Sequence, residues 1–358
     1  MGMQLSSPVI AGSSNFTSKV DSIIEAEAAG AGAVVLKSLF EEQIVTLASS
    51  LSAAETYPEA DDYLQYYTRS YSVEDYLALI SDARKRVKIP VIASINCFST
   101  KGWIDFAVDI ERAGANAIEV NIFFMPVDMH QTAARAESLY FGIIEKLKEK
   151  VSIPVSVKIG MRFSNLLNFS WQVHNHGASG LVLFNRFYEP DFDINNMSVV
   201  PAPVLSNPAE LRYVLRWVGM VSALNIEMDI SASTGVHTGE DAIKYLLAGA
   251  KTVQVCSALY KRGFTVITEI NNTLRKWMND HEFSRISDFR GKLNYRNIEN
   301  PALFERSQFM KHYSSYIWLF LQYGYQFPCK LLLGFVIGAC CILQPGDNRN
   351  AVSFGYHT

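Results

Sequence analysis

The sequence predicts an α/β fold of the TIM-barrel type, in which eight parallel strands alternate with helices and close into a ring. Three observations support this prediction. The chain has 358 residues, which leaves room for one barrel of about 250 residues with loop insertions and a tail. A unit of helix, small-residue turn and short apolar run recurs along the chain. About eight such apolar runs can be counted, the number that a (β/α)8 barrel requires.

The recurring unit ends each helix with a glycine and follows it with a β-branched or leucine-rich run. Glycine ends helices well because it adopts the left-handed conformation, and a strand buried on both faces is apolar throughout. A second type of strand entry, Ile-Pro-Val, begins at Ile89 and again at Ile153. The glycine-ended unit occurs at Glu25–Lys37, Glu111–Asn121, Asn175–Asn185 and Leu246–Ser257.

The eight apolar runs are assigned to the strands of the barrel. A doubly wound open sheet is the alternative, but it needs a glycine-rich fingerprint after its first strand, and Ala11–Asn15 has none. The long gaps at residues 41–88 and 186–225 predict loop insertions at the carboxyl face. The predicted strands are Val9–Gly12, Val34–Lys37, Val91–Ile95, Ile118–Asn121, Val155–Lys158, Leu181–Asn185, Ile226–Ser231 and Val253–Cys256.

Composition excludes several functional classes. The formal net charge of −3 offers no basic excess for nucleic acid or anionic lipid, so we expect no nucleic-acid partner. The five cysteines include no CxxC pair, and no cluster has the spacing of metal ligands, so we expect neither a metal site nor a disulfide framework. The first residues lack a basic patch followed by an apolar run. We therefore expect a cytoplasmic protein without a secretory signal.

The C-terminal segment departs from the repeating pattern. We predict a barrel domain over residues 1–312 and an atypical apolar extension over residues 313–358. Its apolar stretch, Tyr316–Leu343, is interrupted by Pro328 and Lys330. Each half is shorter than the roughly 20 residues that span a bilayer. We expect a packed tail rather than a membrane anchor, with membrane contact left open.

Polar side chains at the carboxyl ends of four predicted strands are the first candidates for a site. Lys37, Asn121, Lys158 and Asn185 end strands two, four, five and six, and barrel enzymes place their active sites at this face. Strand side chains alternate, so these residues are predicted to point into the barrel mouth. In the alternative interpretation, a lysine pairs with a carboxylate such as Glu119 and only seals the barrel.

Two small polar turns predict a phosphate site. Thr234-Gly235 follows the seventh strand, and Cys256-Ser257 follows the eighth. The loops after these two strands are where barrels often bind phosphate, and backbone N–H groups can approach an anion closely there. His237, in the same loop, is a candidate ligand contact, although we interpret it as a solvated histidine.

With these residues located, the sequence resembles the class 1 dihydroorotate dehydrogenase family, and most of all its dihydroorotate dehydrogenase-like branch. The resemblance runs from about Leu5 to Met310 and includes SSPVIAGSSNFT, VVLKS, NIFFMP, PVSVK, LFNRF and, most specifically, STGVHTGEDAIKYLLAGAKTVQVCSALY. Members are FMN-dependent TIM barrels of pyrimidine biosynthesis. The resemblance implies catalytic roles for Lys37, Asn121 and Lys158. It also implies FMN contacts at Ser13, Ser14, Lys37, Lys158, Thr234, Gly235, Cys256 and Ser257, and substrate contacts at Lys37, Asn121 and Asn185.

One position departs from the family pattern. The family places a Cys or Ser base three residues after the strand-four asparagine, where this chain has Phe124. Phenylalanine cannot accept a proton. Asp128 and His130 are nearby substitutes, although loop residues of this kind are usually solvated.

Three functional hypotheses follow. The first is an FMN-dependent oxidoreductase that oxidises a CH–CH bond of dihydroorotate or a related small cyclic amide. The second is an aldolase-type lyase, in which Lys158 or Lys37 forms a Schiff base with a phosphorylated substrate. The third is a non-catalytic flavin-binding subunit, suggested by the missing base. All three imply a small-molecule ligand, and a homo-oligomer is left open.

Overall fold

The computed structural model describes residues 1–41, 73–99 and 103–306, and its centre is a closed ring of eight parallel strands. Strand β1 pairs with β2 on one side and with β8 on the other, which completes the ring. The predicted TIM barrel is therefore confirmed. The strands are β1 Val9–Ala11, β2 Ala33–Val35, β3 Val91–Cys97, β4 Ala117–Ile122, β5 Val155–Ile159, β6 Gly180–Leu183, β7 Asp229–Ala232 and β8 Thr252–Val255.

The predicted strands differ from the observed ones mainly at their ends. The seventh was predicted to start at Ile226, but β7 starts at Asp229. Ile226 and Met228 are apolar because they pack against the core ahead of the strand. Lys37 and Asn185 lie two residues beyond β2 and β6 rather than within them. Both positions still fall at the carboxyl face.

Helices surround the ring, and the glycines predicted to end them do so. Gly30, Gly114, Gly177 and Gly249 all have positive φ just after a helix. The described helices are α1 Val20–Ala28, α2 Val73–Arg86, α3 Ile104–Arg112, α4 Ala133–Lys150, α5 Leu166–Asn175, α6 Leu211–Val221, α7 Gly239–Ala248, α8 Ser257–Arg262, α9 Thr265–Asp280 and α10 Ala302–Glu305.

The strands bury both of their faces. Outward-facing side chains pack with the helices in the main core. Inside the ring, Ile10, Ala33, Val35, Ile92 and Ala117 form a separate apolar cluster, against which Met1, Met3 and Leu5 pack. Polar side chains take the place of this apolar filling toward the carboxyl face. This polarity makes the upper barrel the place to look for a site.

The described part of the gap at residues 186–225 carries a loop insertion, as predicted. It contains an antiparallel hairpin of Pro190–Asp193 and Ser198–Pro201, followed by a 3-10 turn at Pro208–Glu210 and then α6. In the gap at residues 41–88, α2 is a helix, and residues 42–72 lie outside the described residues. The insertion predicted there stays a prediction.

Met1–Phe304 forms one compact unit. The predicted domain boundary after residue 312 and the apolar extension over residues 313–358 lie outside the described residues, so both remain predictions. Across the described part of the chain, none of the helices combines the length and the apolar character needed to cross a membrane.

Candidate active site

A buried triad of polar side chains lies inside the barrel. The ammonium of Lys158 on β5 donates a hydrogen bond to Gln254 Oε1 at 3.0 Å and forms an ion pair with Glu119 Oε1 at 3.4 Å. The Gln254 amide in turn donates to Glu119 Oε2 at 2.5 Å. The Lys158 and Glu119 side chains are only 9% and 1% exposed. Both charged groups are therefore taken out of water and compensate each other within the triad.

Lys158 agrees with parts of both predictions made for it, a side chain that points into the barrel and a lysine that pairs with a carboxylate. Its side chain points into the barrel, as the strand alternation predicts, and it also pairs with Glu119. In the strand register Lys158 lies beside Asn121, while Glu119 lies beside Ser156, one inward-facing layer below. Lys158 is therefore the upper member of the pair, toward the carboxyl face.

Two asparagines meet at the same face. Asn185 Nδ2 donates to Asn121 Oδ1 at 2.8 Å, and the backbone N–H of Asn185 donates to the Ile159 carbonyl at 2.7 Å. Asn121 is buried and Asn185 is half-buried. Each amide has further donor and acceptor capacity. The pair is therefore suited to a ligand that itself carries amide groups.

Serine hydroxyls connect the ends of β1, β2 and β3. Ser13 Oγ lies 3.1 Å from Ser38 Oγ, which lies 2.8 Å from Ser94 Oγ. Lys37, next to Ser38, is half-buried, and its backbone N–H donates to the Thr17 carbonyl at 3.4 Å. Ser13 and Lys37 therefore lie on the opposite side of the mouth from the asparagines.

The buried Ser14 and the half-buried Cys256 place a hydroxyl and a thiol where β1 and β8 end. The Ser14 hydroxyl oxygen is buried and makes no hydrogen bond to nitrogen or oxygen among the described residues. The weakly accepting sulfur of Cys256 is within its reach. Burial raises the pKa of the Cys256 thiol, against smaller opposing effects of Lys158 and Ser14. A neutral thiol and a hydroxyl with spare capacity thus face the same space.

The turn after β7 brings bare backbone into the site. Thr234 and Gly235 both have left-handed backbones, with φ of 76° and 77°. A Cβ atom on Gly235 would lie 2.5 Å from the Leu211 backbone nitrogen. Thr234 uses its hydroxyl to donate to the Phe184 carbonyl at 3.1 Å. The turn therefore offers backbone N–H groups rather than the threonine side chain, as concave anion sites do.

The turn after β8 belongs to a second polar network. The backbone N–H of Ser206 donates to Ser257 Oγ at 2.9 Å, and the Ser206 hydroxyl lies 3.1 Å from His237 Nε2. Lys261 and Arg262 donate to the carbonyls of Ser206 and His237. Two cations thus lie beside the predicted phosphate loops.

The interpretation of His237 as a solvated histidine is wrong. It is 7% exposed, because the loop insertion that carries Ser206 covers it. Burial is the main cause that lowers the pKa of His237, and Lys261 lowers it further. The ring is therefore predominantly neutral at neutral pH.

A cavity of about 390 Å³ opens at the carboxyl face. Its lining includes Asn185, Thr234 and Phe124, and the rings of Phe123 and Phe187 stack with centroids 3.9 Å apart. The base position of the family pattern therefore presents an aromatic ring to the cavity. The substitutes considered for it, Asp128 and His130, are exposed on the loop and do not line the cavity.

Ion pairs border this cavity. Arg186 Nε donates to Glu210 Oε2 at 3.0 Å, and Arg162 pairs with Glu189 at 3.0 Å. All four side chains belong to residues that line the cavity. Within the described ranges, no group of three or more His, Cys, Asp and Glu side chains could hold a metal ion.

Sequence reasoning located the strand-end residues but missed Gln254 and Ser206. The signal for Gln254 was available, since it precedes Cys256 by two residues on β8 and must therefore share its face. Ser206 had no comparable signal, because it lies in an irregular insertion whose path no periodicity defines.

The closed barrel carries a buried ammonium, an amide pair and anion-type turns, an arrangement typical of barrel enzymes, and these groups form a candidate site at the carboxyl ends of the strands. Comparison with known protein families identifies the family to which this enzyme belongs. The family model for dihydroorotate dehydrogenase matches residues 68–278, more than half of the chain. The chain belongs to the dihydroorotate dehydrogenase family and is an oxidoreductase of the dehydrogenase class.

Curated relatives agree with this assignment. The catalytic subunit of dihydroorotate dehydrogenase B (NAD(+)) from Thermoplasma acidophilum is 26% identical over 294 residues, covering 81% of this chain and 96% of the relative. The corresponding subunit from Thermoplasma volcanium is 29% identical over 211 residues, covering 58% and 69%. The chloroplastic dihydropyrimidine dehydrogenase (NADP(+)) of Arabidopsis thaliana is 23% identical over 223 residues, covering 57% and 52%.

Proposed function

We propose that the protein is an FMN-dependent oxidoreductase that oxidises a CH–CH bond of dihydroorotate or a related small cyclic amide, as a step of pyrimidine biosynthesis. The observation that carries this proposal is the convergence of Lys158, the Asn121–Asn185 pair and the Thr234-Gly235 turn on one face of the barrel. These groups match the chemistry of an anionic flavin, an amide-bearing ring and a phosphate, respectively.

The residues present fit FMN on two structural grounds. The buried Ser14 hydroxyl has no nitrogen or oxygen partner among the described residues, and a bound ring would supply a stronger acceptor than the Cys256 sulfur. At Gly235 a side chain would collide with the Leu211 backbone and φ is 77°, so glycine is needed for the turn to keep the backbone path that suits an anion site. We infer that Gly235, Cys256 and Ser257, with Thr234 beside them, hold the phosphate. Ser13, Ser14, Lys37 and Lys158 would hold the ring.

FMN, when bound, supplies the hydride acceptor for the CH–CH oxidation. Lys158 places a positive charge where the reduced ring gains negative charge. Asn121 and Asn185 orient the substrate through amide hydrogen bonds, with Lys37 as a further contact. The rings of Phe123 and Phe187, which are in contact with each other, supply an apolar part of the cavity wall.

Phe124 distinguishes this chain within the proposed activity. Because its ring lines the cavity where a proton acceptor would be needed, we infer slow oxidation of substrates that depend on a base there. The same observation keeps a non-catalytic flavin-binding subunit as the second candidate. The Schiff-base alternative loses support, because Lys158 is held by an ion pair with Glu119 and a hydrogen bond to Gln254, and the family is one of dehydrogenases.

We also propose that the protein acts in the cytoplasm on a small molecule. The relatives from Thermoplasma are named catalytic subunits, which supports assembly with other chains. Self-association into a homo-oligomer is part of the same proposal.

An anaerobic screen of flavin bleaching tests the activity. We expect dihydroorotate or another dihydropyrimidine to reduce the bound flavin slowly in the native chain. The variant Phe124→Cys should bleach at least about tenfold faster, because a thiol can take the proton, and Phe124→Leu serves as the matched control. Bleaching by no dihydropyrimidine in either the native chain or Phe124→Cys would leave the flavin-binding subunit as the function.

A further inference from the structure

The buried triad of Glu119, Lys158 and Gln254 contains two residues that the proposed function does not use. That function uses only the positive charge of Lys158, yet the lysine shares a closed set of contacts with a carboxylate and an amide from two other strands. All three residues are buried, with 1%, 8% and 4% exposure for Glu119, Lys158 and Gln254. The question is what the two additional residues do.

Stability alone does not explain the triad. A buried ion pair is commonly no more stabilising than apolar side chains of similar volume, and just below the triad the barrel is filled by Ile10, Val35 and Ile92. Glu119 Oε1 also makes no hydrogen bond among the described residues, so only the charge of Lys158, 3.4 Å away, compensates its burial. The dependence of the buried Glu119 on the charge of Lys158 indicates that the triad controls this charge.

The strand register places the triad directly beneath the proposed flavin contacts. Glu119 is one inward-facing layer below Lys158, and Gln254 is one layer below Cys256. The carboxylate therefore lies on the side of Lys158 away from the cavity, where it offsets part of the ammonium charge. The Gln254 carbonyl fixes the direction of the same ammonium.

We propose that Glu119 and Gln254 are positioning residues that set how much positive charge Lys158 presents to the flavin, and so set the electron affinity of its ring. This inference rests on the proposed FMN site and goes beyond it. It assigns control of the flavin's electron affinity to side chains that lie below the ring and need not touch it. Replacing the Glu119 carboxylate by a neutral amide then leaves a stronger net positive charge at Lys158, whereas replacing the neutral Gln254 side chain leaves the charge unchanged.

Sulfite affinity of the FMN-loaded protein provides the test, since sulfite adds to oxidised flavins more tightly as the local charge becomes more positive. We expect Glu119→Gln to tighten sulfite binding by about tenfold, as the loss of one unit charge several ångströms away implies. Gln254→Met, which removes the amide but no charge, should change sulfite binding by less than about threefold. The midpoint potential should rise in the first variant and stay close to the native value in the second. Ser156→Ala, a neutral change in the same layer as Glu119, should change neither sulfite binding nor the midpoint potential.

The contrast between a charged and a neutral position makes the result decisive. A purely structural role would weaken sulfite binding in both variants alike or leave it unchanged in both, and either result overturns the inference while the FMN site stands. Glu119→Met, which removes the same charge with an apolar side chain, carries the test if Glu119→Gln does not fold. If the native chain takes up no FMN, the proposed function and this inference both fail.

Discussion

Single side chains at the mouth of this barrel could be anticipated from alternation along the strands. Lys158 faces the interior because it alternates with Val157 and Ile159, which pack outward against the helices. What alternation could not supply was the partner of each residue. The pairing of Lys158 with Gln254 joins residues 96 positions apart, and only closure of the ring brings them together.

Replacing Ser14 separates the contribution of its hydroxyl to stability from its contribution to FMN binding. Ser14→Ala removes a buried group without a strong partner, so the stability of the apoprotein should change by less than about 0.5 kcal/mol. FMN affinity should fall by about twofold to tenfold, the value of one lost hydrogen bond. Urea unfolding of the apoprotein and fluorescence titration with FMN measure the two effects.

Ser170 offers a matched control for that substitution. Its buried hydroxyl donates to the Leu166 carbonyl at 2.7 Å within α5, away from the site. Ser170→Ala should cost about 1 kcal/mol of stability and leave FMN affinity unchanged. The account of Ser14 is wrong if Ser14→Ala behaves in the same way.

Among the elements, helix ends were predictable and irregular insertions were not. Each predicted Ala-Gly or His-Gly turn ends a helix, because only glycine adopts the positive φ there without strain. The insertion that carries Ser206 has no period, so its position over His237 could not be read from the sequence. The interpretation of His237 as a solvated histidine was wrong because the sequence does not place this insertion over it.

Substituting the glycine of the turn after β7 tests the role of that turn in stability and FMN uptake. Gly235→Ala should destabilise the protein by about 1 to 3 kcal/mol and abolish FMN uptake, because φ is 77° and the new Cβ meets the Leu211 backbone. Gly142→Ala in α4, where a Cβ meets nothing within 4 Å, should instead stabilise by about 0.5 to 1 kcal/mol. Equal effects of the two substitutions on FMN uptake would contradict the role given to Gly235.

For the whole molecule, the order of strands and helices in the sequence was enough to predict the barrel. Eight buried runs separated by helices allow few other closed arrangements, and the register confirms the ring. The chemistry of the cavity required the structure, because Phe124, Arg186 and Phe187 come from loops that no strand periodicity places.

The buried His237 links global stability to pH. Burial holds its pKa below the ordinary value of about 6.5, so below that pH the unfolded chain binds the proton more readily than the folded chain. Stability should therefore fall as the pH drops from about 7 to 5, and His237→Gln should flatten this decline. Urea midpoints across this range measure it, with the exposed His130→Gln as control. An identical decline in His237→Gln and the native chain would refute the assignment.

The absorption spectrum of the purified chain, taken after incubation with FMN and removal of free cofactor, shows whether the barrel mouth binds the flavin. We predict a yellow protein with about one FMN per chain, and loss of that uptake in Gly235→Ala while Gly142→Ala retains it. A folded native chain that shows no flavin absorbance after this treatment would contradict the claim that the cradle at the carboxyl face holds FMN.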